Sequence, residues 1–162
     1  MFDSYTPENA SEIVAKIRAR RPWNIILKSI ATLRDKTYID GSCINGYLFH
    51  VEKQVNRIDK NRVRVFSQFF FTKLFEGGSY TYNNVAKHRY IKDALTCKMI
   101  FIPINIREHH WYLIVVLVKQ KRLIVFDSLG DDEASHHVVA CANLVRFFKQ
   151  HYDDDGDWTS YR

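Results

Sequence analysis

Apolar positions change their spacing several times along the 162-residue chain. Between Ser11 and Arg20, Ile13, Val14 and Ile17 fall on one side of a helical projection. That spacing predicts a short amphipathic helix, with Ser11 as its N-cap and Pro22 ending it. A second helix is expected after Ser42, which can cap it, because Ile44, Tyr47, Leu48, Val51 and Val55 recur at helical spacing. Asn45, Glu52 and Lys53 occupy the other side, so this helix is expected to lie on the surface of a core with those residues outward.

The period then shortens. Val65 to Leu74 holds Phe66, Phe69, Phe70 and Phe71, and Gly77-Gly78 follows as a turn signal. Met99–Asn105, Trp111–Val118 and Leu123–Phe126 read as strands in quick succession. The last two are unbroken apolar runs, the mark of central strands covered on both faces. Lys119 to Arg122 is a charged connector of hairpin length. After Asp127-Ser128-Leu129-Gly130 a further helix is expected. Asp131, Asp132 and Glu133 suit its positive N-terminal end, and Val138, Cys141, Ala142, Val145 and Phe148 form its stripe. An acidic loop, Asp153 to Asp157, precedes the start of one more element at Trp158. The length suits a single domain over 1–162.

Composition narrows the classes. With 46% hydrophobic residues, six Gly and three Pro, the chain is neither disordered nor low in complexity. The net charge of +6 is unevenly spread. Residues 1–65 carry 12 basic and 7 acidic side chains, and residues 66–162 carry 12 and 11. Arg18, Arg20, Arg21, Lys53, Arg57, Lys60, Arg62 and Arg64 make up much of the excess. Such a face suits a solvated surface, an acidic partner or nucleic acid. Nucleic acid is the weakest of the three, because the interleaved aromatics of its binding modules are missing. Cys43, Cys97 and Cys141 are odd in number and widely spaced, as expected in a reducing, intracellular compartment, nucleus or cytoplasm. The longest apolar run, Tyr112 to Val118, falls far short of the ~20 residues of a membrane helix, and no secretory leader is read at the start. No phosphate loop, metal-spaced Cys/His cluster or GxSxG elbow is present, so neither metal nor cofactor is expected.

One pair of residues carries possible chemistry. His110 opens a strand, Asp127 closes the next, and an antiparallel hairpin brings those ends to one edge. Pairing Val118 with Leu123 sets Asp127 opposite Ile114, on the same face as His110. That register leaves an offset of roughly 13 Å along the strand, which a tighter turn or a bulge would shorten. A His with a carboxylate is the base-plus-orienter half of a nucleophilic triad. It is also a common structural pair. His109 points away from His110, and His136-His137 is expected on the polar side of its helix, at the surface.

The order of these segments resembles the Ulp/SENP cysteine proteases, of the papain-like clan, which process ubiquitin-like proteins. His110-Trp111, an apolar strand, then Val125-Phe126-Asp127-Ser128 follow that family's run of His-Trp, strand and Asp-Ser. Phe101-Ile102-Pro103-Ile104-Asn105 is similar to the strand ahead of the family's catalytic His. Phe66 to Leu74 resembles its Phe-x-x-Phe segment, and Tyr38-Ile39-Asp40-Gly41 with Ile44-Asn45 and Tyr47 resembles the start of its first helix. The likeness covers about residues 25–162. It implies an α+β fold with a central mixed β-sheet flanked by helices. It implies His110 as general base, Asp127 as its orienter, and Trp111 and Tyr38 as walls of a tunnel for the Gly-Gly tail of a ubiquitin-like, SUMO-like protein. A flat aromatic wall admits side-chain-free backbone.

Three departures stand beside the likeness. Tyr38 replaces the usual Trp, and Gly41 stands where an Asp commonly meets the substrate. The family's Gln-x5-Asp-Cys-Gly run, with its oxyanion Gln and its nucleophile, has no counterpart after Asp127. Cys141 sits mid-stripe as a core residue, so no cysteine reads as a nucleophile. Three readings follow: a C-terminally incomplete, inactive copy of a protease, a non-catalytic relative that binds ubiquitin-like or other proteins, or a basic interaction module on the same scaffold.

Overall fold

A computed structural model describes residues 6, 8–18, 22–34, 36–88, 90–106, 109–130 and 134–161. The first expectation fails. Ile13–Arg18 is a strand, β1, paired antiparallel with Pro22–Ile26, β2. Two β-branched isoleucines and a valine in six residues favour extended backbone once a partner such as Trp23-Asn24-Ile25-Ile26 is available. Pro22 opens β2 instead of ending a helix. Arg20, Arg21 and the acidic trio at 131–133 lie outside the described residues.

A short helix, α1 (Leu27–Ala31), leads to α2 (Gly41–Ile58). The cap of α2 is Asp40, whose carboxylate accepts from the Ser42 backbone N–H at 2.7 Å, so Ser42 is the acceptor's target and not the cap. The buried side of α2 is only partly the one the pattern indicates: Leu48 and Val55 pack on the core and Lys53 is exposed. Cys43, Asn45, Phe49 and Glu52 are buried, while Tyr47 is exposed and Ile44 and Leu48 are half-covered. The two buried polar residues each satisfy backbone. Asn45 accepts from the Gln68 N–H at 2.9 Å, and Glu52 accepts from the Val65 N–H at 3.3 Å. Arg64, expected among the solvated cations, is buried too, with Nε 3.4 Å from Glu52 and its guanidinium donating to the Tyr90 carbonyl.

The main sheet has the order β3-β6-β7-β8-β9. Its centre is a meander of β6 (Met99–Ile106), β7 (His110–Leu117) and β8 (Arg122–Phe126), all antiparallel. β3 (Val63–Val65) pairs parallel with β6, and β9 (Thr159–Tyr161) parallel with β8. The Gly77-Gly78 turn joins the two-residue strands β4 (Phe75–Glu76) and β5 (Ser79–Tyr80), with both glycines at positive φ.

Strand alternation divides the core. Ile100, Ile102, Ile104, Tyr112, Ile114, Val116, Leu123 and Val125 pack beneath α3 (Gln68–Leu74) and α4 (Ala134–Tyr152). Val63, Val65, Met99 and Phe101 pack beneath α2 on the opposite face. The α4 face of β7 and β8 is sealed, but the other is not. Near Leu113 and Phe126 it borders an open groove of about 560 Å³, into which the apolar stripe Ile44, Tyr47 and Leu48 of α2 projects. Both faces of these strands are expected to be covered; on the second face Val115 is buried, Leu113 and Ile124 are half-buried and Phe126 is exposed.

Candidate active site

His110 reaches its place through a tight return from β6, in which the His109 N–H donates to the Ile106 carbonyl and Ile106 pairs with His110. Asp127 lies one residue beyond β8. The hairpin register, Leu117 with Arg122 and Leu113 with Phe126, places Asp127 two positions from His110 along the strand, nearer than the four of the Val118–Leu123 register. The four-residue turn 118–121 sets this register, closing with Lys121 at φ 51°. Side-chain reach covers the remainder: His110 Nε2 donates to Asp127 Oδ1 at 2.6 Å.

Asp127 is also held from two other sides. The Leu129 N–H donates to the same oxygen at 2.8 Å, an Asx turn that fixes the start of the following loop. His137, one turn into α4, donates Nε2–H to the other oxygen, Oδ2, at 2.7 Å. Burial pushes the Asp127 carboxyl up, but these N–H donors outweigh it and hold the group below the usual carboxylate range. With His110 Nε2 committed to the carboxylate, Nδ1 is the ring nitrogen that this bond does not use.

His137 was expected at the surface and is buried, with 2% of its surface exposed. Its ring meets the Tyr112 ring at 4.9 Å, edge to face. The observed stripe of α4 is His137, Ala140, Cys141, Leu144, Phe147 and Phe148, while Val138 and Val139 are exposed. Extending Cys141 and Leu144 back by one turn lands on His137, and that spacing is the signal that could have found it.

Trp111 points to the opposite face from His110. Its Nε1–H donates to the Ile39 carbonyl at 2.9 Å, tying β7 to the segment that enters α2. Trp111, Tyr38, Ile39, Gly41, Gln68 and Asn105 line a groove of about 620 Å³, and Trp111 also borders the groove beside Asp127. Tyr38 is 64% exposed, its ring 4.9 Å from that of His109. At Gly41 an added Cβ would fall 1.9 Å from the Gln68 amide, so that side chain occupies the space an aspartate would need. The structure thus brings His110 and Asp127 together and places Tyr38 and Trp111 along one groove. The three cysteines are buried: Cys43 bonds to the Ser29 carbonyl, Cys97 accepts from Arg64, and Cys141 lies in the core. Burial, with Asp40 adding to it, pushes the Cys43 thiol up, away from the reactive thiolate.

Residues 41–157 match the family described as the Ulp1 protease family, C-terminal catalytic domain. The chain belongs to the Ulp1 protease family. Its members are cysteine proteases, and the matched span holds His110, Trp111, Asp127 and His137. The chain is 29% identical over 140 residues to ubiquitin-like-specific protease 1 of Saccharomyces cerevisiae, which covers 85% of the chain and 21% of that relative. It is 28% identical over 120 residues to human sentrin-specific protease 2, covering 74% of the chain and 19% of the relative. The chain therefore spans about a fifth of the length of these Ulp1-family relatives. The solved Ulp1 protease domain in complex with Smt3, the yeast SUMO orthologue, superposes with a TM-score of 0.72 at 22% identity, over 91% of this chain and 66% of that one. The Ulp1-family fold is thereby shared: a five-stranded mixed sheet between helices. Among the described residues, no helix is long and apolar enough to cross a membrane.

Proposed function

We propose that this chain carries the base half of a cysteine peptidase or isopeptidase site that acts on SUMO-like proteins, their precursors or their conjugates. His110 is its general base, Asp127 orients that base, and Trp111 and Tyr38 wall the groove for the substrate's Gly-Gly tail. The supporting observation is the 2.6 Å hydrogen bond from His110 Nε2 to Asp127. It leaves Nδ1 to take a proton from a thiol and return it to the leaving amine. In the acyl transfer this serves, a thiolate attacks the carbonyl of the terminal glycine, and a side-chain amide stabilises the oxyanion. All three cysteines of this chain are buried, so the 162-residue chain alone is inactive in this reading. We take residues 1–162 as one domain working in the nucleus or cytoplasm.

The buried cysteines equally favour a second reading, a non-catalytic relative that binds ubiquitin-like tails. Two assays on the purified chain test both. Calorimetry against a mature SUMO-like protein is expected to show binding that Trp111→Ala weakens roughly 30-fold, the effect of losing an aromatic anchor. A fluorogenic SUMO-like substrate is expected to show no turnover. Absence of any binding overturns the substrate assignment, and salt-sensitive DNA binding indifferent to Trp111→Ala would favour a basic module instead. Turnover that Cys141→Ser abolishes overturns the claim of inactivity.

A further inference from the structure

We propose that His137 is a positioning residue for His110, acting through Asp127. This rests on the reading of His110 as the base, and it adds a residue that the paired strands do not supply. The carboxylate of Asp127 is shared among three donors. Oδ1 takes His110 Nε2–H and the Leu129 N–H, and Oδ2 takes His137 Nε2–H. Rotation about the Cβ–Cγ bond swings both oxygens together, and the two donors on Oδ1 restrain it at one end only. A donor on the second oxygen fixes the plane of the carboxylate, and with it the direction in which His110 is held.

His137 is itself held firmly enough to do this. Its side chain is 2% exposed and that of Asp127 is 3%, so water does not compete for the bond. Tyr112 meets its ring edge to face, and α4 is seated on the sheet by Leu144, Phe147 and Phe148, all fully buried. The remaining ring nitrogen, Nδ1, is buried with no hydrogen-bond partner among the described residues. A bare lone pair tolerates that position better than an N–H would, because an N–H there would need an acceptor. The ring is therefore used in one tautomer, with its proton on Nε2 and directed at Asp127. Core packing of α4 is transmitted to the base through one bond, across an Asp-x9-His spacing, Asp127 to His137.

The test uses the intact chain and needs no turnover. Imidazole nitrogen-15 and proton spectra of the wild type are expected to show hydrogen-bonded Nε2–H signals from both His110 and His137. His137→Phe keeps the ring's bulk and removes the donor. It is expected to remove the second signal and to make the His110 N–H exchange with water roughly tenfold faster or more, the scale of a lost bond to a charged group. His137→Gln, whose amide nitrogen can replace Nε2, is expected to restore the slow His110 signal. If His137→Phe does not fold, Asp127→Asn supplies the readout. The two rings meet opposite oxygens of Asp127, so in asparagine one of them faces the NH2 group and must turn a lone pair to it, moving its proton to Nδ1. A folded His137→Phe chain with unchanged His110 signals, or an Asp127→Asn chain with both tautomers unchanged, overturns the assignment. A chain that binds no SUMO-like protein sinks the functional reading and leaves this result standing.

Discussion

At the residue scale the site turns on how many donors one buried carboxylate collects. Asp127 sits below the ordinary value of 3.8 because the Leu129, His137 and His110 N–H groups outweigh burial. A depressed folded-state value means that its stabilisation is complete above the unfolded value and is lost as pH falls through the folded one. Asp127→Asn is therefore expected to cost about 2 kcal/mol near neutral pH. The gap in urea midpoint between the variant and the wild type should narrow on acidification from about pH 4 downward. A gap that stays constant or widens over that range would show that the carboxylate's charge is not what the donors hold. The sequence made half of this cluster legible. Strand alternation is strict enough to put His110 and Asp127 on one face even from a register two residues out, since an even slip preserves the face. His137 is reached only when the α4 stripe is run back from Cys141 and Leu144, and apolar Val138, which the structure leaves exposed, draws the stripe one residue away from it. Arg64 escaped because charge suggests solvent, and only tertiary structure supplies Glu52 and the Tyr90 carbonyl as partners.

At the element scale, periodicity located elements better than it oriented them. The apolar stripe of α2 is real, but its first part, Ile44, Tyr47 and Leu48, lines the open groove beside Asp127, Leu48 and Val55 also pack on the core, and the buried side carries Asn45 and Glu52 bonded to backbone N–H groups. Hydrophobicity cannot indicate burial of a polar residue whose partner is a backbone group on another element. The apolar residues of β1 are spaced to suit a helix as well as a strand, and the deciding factor is the pairing with β2. The start of α2 gives a clean contrast. Asp40 supplies the side-chain cap and Ser42 only the N–H it receives. Asp40→Ala is expected to cost about 1 kcal/mol in thermal or denaturant unfolding, whereas Ser42→Ala should stay within about 0.5 kcal/mol. Equal losses would mean that Ser42 contributes a cap of its own.

At the scale of the whole molecule, the central meander could be read from sequence because its three strands are consecutive and joined by short turns. The parallel edges could not. β3 and β9 have three residues each, and their partners lie about 36 residues away in each case, too far for any local pattern to report. The acidic loop before β9 is held across that distance by Asp154, which pairs with Lys121 and accepts from the Gly156 N–H, while Arg122 lies over the Tyr161 ring at 4.4 Å. The same global packing decides the fate of the thiols. Cys43 is sealed under α2 against Ser29, Cys97 beside Arg64, and Cys141 under α4. A thiol reacts as thiolate and only where a reagent can reach it, so all three should resist a disulfide reagent in the native state. In urea above the unfolding midpoint, three equivalents should titrate quickly, and the native rate should follow the opening of the fold as denaturant is raised. An electrophilic SUMO-like probe, which needs an exposed nucleophile next to the tail groove, should leave the chain unlabelled at concentrations where the unmodified protein binds. Labelling by that probe, lost in His110→Ala and in one cysteine variant, would establish a working nucleophile in this chain and reverse the proposal of inactivity.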